Sequence, residues 1–238
     1  MDEPIIVVSN RDPVGRNAIF FLRSMRLNFK IVEEKPVDFK VNSENLIVLC
    51  RHSSLKGINS ITVHHPGNPT KEALLGGEPL KLPYANPGLA KEILKELYHA
   101  SPKGYEVTYE ATHHGPTPDG RILFVEIGSN EEKWNDLNAI ELIVKSVNNS
   151  IKKTPYCKEL AVGLGGGHYA PRFTELAIEE DICFGHIISK HYLSEIREEV
   201  ILDAIYKSNA EAVYIYKNSY VDKLIKVLEK IGIKIKIV

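Results

Sequence analysis

Seven of the nine histidines in this 238-residue chain sit at or just beyond the ends of short β-branched runs: His52, His64, His65, His113, His114, His168 and His186. Only His99 and His191 lie elsewhere. Imidazole suits two tasks there, binding a transition metal through a neutral nitrogen and moving protons near neutral pH. In an open α/β sheet, ligands bind outside the carboxyl ends of the strands, so groups carried there converge on one crevice. No HExxH spacing singles out a metal pair. His113 and His114 are adjacent, ahead of Gly115–Pro116. Neighbours on a regular strand point to opposite faces, so both can serve one site only if the chain turns there.

Two further stretches carry chemistry. In "GLGGGHYAPRF", Gly163 to Phe173, no GxxxxGK[ST] follows and the glycine spacing fits GxGxxG poorly, which argues against a nucleotide loop. Successive glycines do let backbone N–H groups approach an anion or a tetrahedral oxyanion. His168 follows Gly165, Gly166 and Gly167 directly, and Arg172 adds a cationic fork suited to phosphate or carboxylate. Glu126, in "FVEIGS", is an acid within an otherwise apolar strand. A carboxylate so buried needs a partner or a raised pKa, which makes it a candidate general base or an orienter of a histidine.

The elements that must position these groups alternate. Strands are predicted at 5–9, 46–50, 61–65, 105–112, 122–128, 159–165, 182–188, 212–216 and 233–238. Helices are predicted at Gly15–Met25, Pro87–His99, Asn130–Asn149, Ser194–Ser208 and Asn218–Ile231. This pattern predicts an α/β fold with a mixed, mainly parallel sheet flanked by helices on both faces. The run 105–112 alternates and reads as an edge or antiparallel strand. Residues 66–88, rich in Pro and Gly, read as a long surface excursion from a single domain spanning 1–238.

A formal charge of −1 argues against a wholly basic nucleic-acid coat. No run approaches about 18 consecutive apolar residues, and the acidic start resembles no signal or transit peptide, so membrane insertion is excluded. Cys50, Cys157 and Cys183 form no CxxC and no even framework, from which free thiols and a reducing, cytoplasmic compartment are expected.

Taken together, "CRHSS" (50–54), "TVHHPGNP" (62–69), "THHGP" (112–116), "FVEIGS" (124–129), "GLGGGHYAPRF" (163–173) and "FGHIISKH" (184–191) resemble the archaeal and plant type of D-aminoacyl-tRNA deacylase, in the expected order over nearly the whole chain. The departure is Cys50, where a serine is expected. The resemblance implies a fold similar to peptidyl-tRNA hydrolases and phosphorylase-like proteins. It also implies a zinc-dependent hydrolase that cleaves the ester between a D-amino acid and the 3′ end of tRNA, as chiral proofreading and tRNA recycling. A cytoplasmic monomer with D-aminoacyl-tRNA as partner, and no DNA or membrane partner, is expected.

Mapped onto such chemistry, His52, His64, His113 and His186 are the candidate metal ligands. His114, Glu126 and His168 are candidates for proton transfer or water orientation. The amides of Gly165, Gly166 and Gly167 are candidates for the oxyanion or the ribose-phosphate end. Arg51, Lys71, Lys81 and Arg172 are candidate phosphate contacts. The competing readings are a peptidyl-tRNA hydrolase-like or nucleoside phosphorylase-like enzyme on the same fold, and a non-catalytic tRNA-binding module.

Overall fold

The computed structural model describes residues 3–41, 43–54, 57–100, 103–217, 219 and 222–238. The β-branched runs form two sheets rather than one. The larger has the order β2 (Phe29–Val32), β1 (Ile5–Ser9), β3 (Asn45–Arg51), β6 (Arg121–Gly128), β4 (Ser60–His64) and β5 (Glu106–Tyr109). Its pairings are parallel except for β4 against β6. The alternating run is thus an edge strand, β5, but the antiparallel contact lies one pair further in. The smaller sheet is all parallel, in the order β10 (Lys234–Ile237), β9 (Ala212–Ile215), β7 (Glu159–Leu164) and β8 (Ile182–Ile188).

Helices cover only one face of the larger sheet. Helices α1 (Pro13–Ser24), α2 (Pro87–Ala100) and α4 (Leu137–Ile151) bury Ala18, Leu22, Ile93, Leu97 and Val147 against Ile47, Ile61, Leu123 and Val125. Each such large side chain contributes about 1.5–3 kcal/mol through burial. The other face, with Leu46, Val48, Cys50 and Phe124, is roofed by Phe39 and Val41 from the connection between β2 and β3. That connection carries Pro36 and no helical apolar periodicity, which is why the expected second helical layer is missing. The smaller sheet does have helices on both faces: α2 and α5 (Pro171–Glu179) on one, and α6 (Lys190–Leu193), α7 (Glu198–Lys207) and α8 (Asp222–Ile231) on the other.

Local chemistry explains the remaining differences from the sequence pattern. The helix expected over Asn130–Asn149 is broken into α3 (Glu131–Trp134) and α4, because Asp136 caps the second piece by accepting from the N–H groups of Asn138 and Ala139. The helix expected over Ser194–Ser208 begins later, as α7 at Glu198, and the short α6 ahead of it was not foreseen. Helix α5 and strand β2 were not foreseen, although Pro171 at the first helical position is a start signal. The predicted start of the last helix, Asn218, lies outside the described residues.

The 66–88 excursion is exposed at its middle and buried at both ends. Two buried histidines hold its far end to β8. The His186 Nε2–H donates to the carbonyl of Pro83 (2.9 Å), and its Nδ1 accepts from the Thr112 hydroxyl (2.9 Å). The His65 Nδ1–H donates to the Gly185 carbonyl (3.0 Å), and its Nε2 accepts from the Asn86 amide (3.0 Å).

One expectation fails outright: Cys157 and Cys183 form a disulfide. The bridge ties the approach to β7 onto β8, and a separation of 26 residues left no pattern by which to foresee it. Only Cys50 is a free thiol, and it is buried.

Two predictions follow from these ties. Thiol titration of the denatured, unreduced protein should return one thiol; a count of three would contradict the bridge. Burial also pushes the His65 pKa down to about 3 and that of His186 to about 4. The unfolded chain takes up protons near pH 6.5 while the folded one does not, so stability is full above that pH and declines as pH falls from about 6.5 toward 4. The limiting slope is about 1.4 kcal/mol per pH unit for each histidine. Denaturant unfolding across this range checks it, and a flat profile would contradict it.

Candidate active site

The site lies on the loop-roofed face of the larger sheet, where β3, β6, β4 and β5 present a polar strip. Register places Cys50 and Thr62 on either side of Glu126, with Thr108 next to Thr62. Beyond β5 the chain continues as Glu110 and Ala111, which pair with the segment leading into α5. The Ala111 amide donates to the His168 carbonyl (2.8 Å) and the Ala170 amide to that of Tyr109 (2.9 Å). The Thr112 amide donates to Ile187 of β8 (2.6 Å). The site therefore sits on the seam between the two sheets, and this seam carries His168 to Glu110.

At its centre is Glu110, 1% exposed, with neither carboxylate oxygen in a hydrogen bond. Four imidazoles surround it. His52 Nδ1 is 3.1 Å and His168 Nε2 3.5 Å from one oxygen; His64 Nδ1 is 3.4 Å and His113 Nε2 4.0 Å from the other. Glu126 is a second carboxylate in the cluster, 3.3 Å from His52 Nδ1 and 3.5 Å from His114 Nε2. The Cys50 thiol donates to Glu126 (3.2 Å), and burial together with that carboxylate pushes the thiol pKa well up.

The chain turns at the histidine pair, as a shared site requires. His114 has φ of +46°, a left-handed conformation that a non-glycine residue adopts at a cost of about 1 kcal/mol. The turn is braced from behind by the excursion, whose Leu75 carbonyl accepts from the Gly115 amide (2.9 Å). A Cβ on Gly115 would stand 2.4 Å from Gly76 and Gly77, so no other residue fits there. The His113 Nδ1–H donates to the carbonyl of Ala111 (2.8 Å) and the His114 Nδ1–H to that of Gly115 (2.6 Å). A carbonyl only accepts, so each Nδ1 carries a proton; the neutral His113 ring turns the lone pair of its Nε2 inward, while the Nε2 of His114 faces Glu126.

Burial holds His64 and His113 well below the usual histidine pKa, so both are neutral at physiological pH. Burial acts to raise Glu126, but hydrogen bonds from His114 and His52 outweigh it and leave the carboxyl well below its ordinary range. Burial likewise lowers His52, and this is outweighed by the hydrogen bond to Glu126 and the charge of Glu110, so its pKa is raised. The result is a largely buried cluster crowded with acceptors. Neither ring nitrogen of His64 has a hydrogen-bond partner. Such a cluster needs a cation.

Its ligand atoms fall into triads that lie within 4.8 Å: His64, His113 and His114; His52, Glu110 and His168; and His64, Glu110 and Glu126. The first two share no residue, and Glu126 reaches into both. His52 Nε2 bonds the Tyr169 hydroxyl (3.0 Å), which also meets the Ser60 hydroxyl (3.3 Å). Tyr169 therefore fixes the His52 ring from outside.

Not every residue singled out in the sequence arrives here. His186 is kept away, because both of its ring nitrogens are spent on Thr112 and Pro83. Arg51 lies over the Trp134 ring (4.9 Å) and within 3.7 Å of Asp12, Arg172 pairs with Glu175 (2.7 Å), and Lys81 with Glu78 (2.8 Å). The glycine loop changes meaning as well. The Gly165 amide donates to Ile188 (2.7 Å) and that of Gly166 to the Ser219 hydroxyl (3.3 Å), so neither is free for an oxyanion. Gly165, at φ of +107°, is required by packing, since a Cβ would stand 2.3 Å from the Ser219 side chain. Gly167 alone of the three donates to no protein group among the described residues.

The central residue, Glu110, was not among the candidates. Its signal lay in "YEVTYEATHH": alternation puts Thr108, Glu110 and Thr112 on one face and Val107, Tyr109 and Ala111 on the other. A wholly polar face leading into two histidines marks a site. Tyr169 gave no such signal.

Fold and cluster define an α/β protein with a buried histidine–carboxylate centre, half-open to solvent at His168, whose side chain is 45% exposed. The chain belongs to the D-aminoacyl-tRNA deacylase family, whose model matches residues 39–236. It is 41% identical to a D-aminoacyl-tRNA deacylase of Saccharolobus solfataricus over 85% of this chain and 84% of that one. It is 38% identical to one of Ignicoccus hospitalis over 95% and 96% of the two chains. A crystal structure described as a conserved protein of unknown function superposes with a TM-score of 0.92 at 27% identity, covering 98% of this chain and 94% of that one. Among the described residues no helix is long and apolar enough to cross a membrane.

Gly165→Ala is expected to cost on the order of 2–4 kcal/mol through clash and strain, while Gly167→Ala, whose Cβ would meet only the Tyr169 carbonyl at 3.7 Å, keeps wild-type stability. Thermal unfolding of the two variants tests this; equal stability would contradict the packing role.

Proposed function

We propose that this chain hydrolyses the ester between a D-amino acid and the 3′ end of tRNA, with zinc held by the histidine–carboxylate cluster. The observation that carries the metal is Glu110, a buried carboxylate without a hydrogen bond among inward-facing imidazole nitrogens. His64, His113 and His114 would hold one ion, and His52 with Glu110 would face a second, with Glu126 reaching both sets. A bound zinc supplies Lewis-acid polarisation of the ester carbonyl and acidifies a water.

The protein's own groups divide the remaining work. Glu126, ionised at neutral pH, accepts and orients protons and cannot serve as the acid. His168, at the opening, is the group able to reach substrate, and in this reading it returns a proton to the departing ribose oxygen. The Gly167 amide, beside it, is the donor left for the oxyanion or the ribose-phosphate end. Tyr169 and Ser60 hold the His52 ring so that Nδ1 faces the cluster, a role in which outer partners commonly change metal affinity by 10–100-fold. A tRNA substrate agrees with a cytoplasmic chain.

Matched D- and L-tyrosyl-tRNA, with and without a chelator, give the direct assay. The D ester should be released and the L ester spared, and chelation should stop release. Equal hydrolysis of both would sink the proofreading reading, and tRNA binding without release would favour a binding module. His64→Ala should lose zinc and at least about 100-fold in rate, the scale of removing one strong electrostatic element. His186→Asn should keep its zinc; loss of zinc there would contradict the ligand set.

A further inference from the structure

The cations expected from sequence to grip tRNA are for the most part spent: Arg51, Lys81 and Arg172 each have an acidic partner. A different pair lies beside the site. The loops after β7, β8 and β9 leave the same carboxyl edge of the parallel sheet, where ligands of such sheets bind. Backbone bonds knit them together. The Lys190 amide donates to the Gly166 carbonyl (3.0 Å), the Tyr216 amide to that of Leu164 (2.8 Å), and the Gly166 amide to the Ser219 hydroxyl (3.3 Å). Lys190 and Lys217 are therefore carried on the two sides of Gly165–Gly167. Both are exposed, and neither side chain has an acidic partner among the described residues.

Between them the surface is bare. A Cβ on Gly166 would meet nothing within 4 Å, the Gly167 amide has no protein acceptor among the described residues, and the next residue is His168. An unobstructed backbone, a free N–H and two unpaired ammonium groups match a phosphodiester, with the reacting centre one residue away.

We propose that this glycine shelf, flanked by Lys190 and Lys217, grips the phosphates of the RNA acceptor end. The proposal rests on the deacylase reading and locates the partner's backbone within it. Backbone phosphate contacts position the nucleic acid without reading sequence, which fits an enzyme serving tRNAs of many identities.

The test compares the wild type, Lys190→Glu/Lys217→Glu and the remote exposed control Lys30→Glu for affinity toward uncharged tRNA across a potassium chloride series. Turnover of saturating D-tyrosyl-tRNA is measured alongside. The double variant should bind at least about tenfold more weakly, and its slope of log affinity against log salt should shrink by about 1.5, at 0.7–0.9 per lost phosphate contact. Its turnover at saturation should stay within about twofold, since neither lysine belongs to the cluster. Unchanged affinity and slope, or an equal loss in Lys30→Glu, would overturn the shelf while leaving hydrolysis intact. Wild-type protein that binds tRNA through these lysines yet releases no D-amino acid would uphold the shelf and overturn the deacylase reading.

Discussion

A buried carboxylate without a hydrogen bond, ringed by imidazoles, organises everything around it. Glu110 is buried, has no hydrogen bond, and faces the ring nitrogens of four imidazoles. Burying such a carboxylate costs several kcal/mol, which a cation held by the cluster would offset. The surrounding devices all serve that end. The His113–His114 turn, the inward Nε2 atoms, the clamp of Tyr169 on His52 and the Glu126 carboxylate each bring or fix a polar atom at one buried volume.

The fold makes this possible by leaving one sheet face without helices. Side chains on the helix-covered face fill a hydrocarbon core, while the loop-roofed face can carry Thr62, Thr108, Glu110 and Glu126 in a row. Placing the strip where the two sheets meet lets the second sheet deliver His168 and the glycine shelf to it. The excursion over 66–88 then works as a brace, pinned by His65 and His186 and pressed against Gly115.

Much of this was legible in the sequence, because strand and helix periods are local. Clustering of histidines at strand ends identified the crevice, and five of the seven do converge. His65 and His186 do not, since an imidazole fixed by a carbonyl and a hydroxyl looks the same in sequence as one with a free lone pair. The division into two sheets was hidden because the same alternation satisfies one sheet or two. The glycines were visible but their reason was not: Gly165 answers to Ser219, a contact across 54 residues of chain. Glu110 was passed over because its strand reads as an ordinary amphipathic edge until its polar face is known to be buried.

The account stands on Glu110 being a charge held ready for a metal. Glu110→Gln keeps the shape and removes the charge, so measuring zinc content, metal-free thermal stability and D-tyrosyl-tRNA hydrolysis in that variant is the most direct test. The account predicts less bound zinc, lost hydrolysis and a metal-free protein at least as stable as the wild type, because the unpaired charge is gone. Full zinc occupancy with wild-type hydrolysis in Glu110→Gln would contradict it.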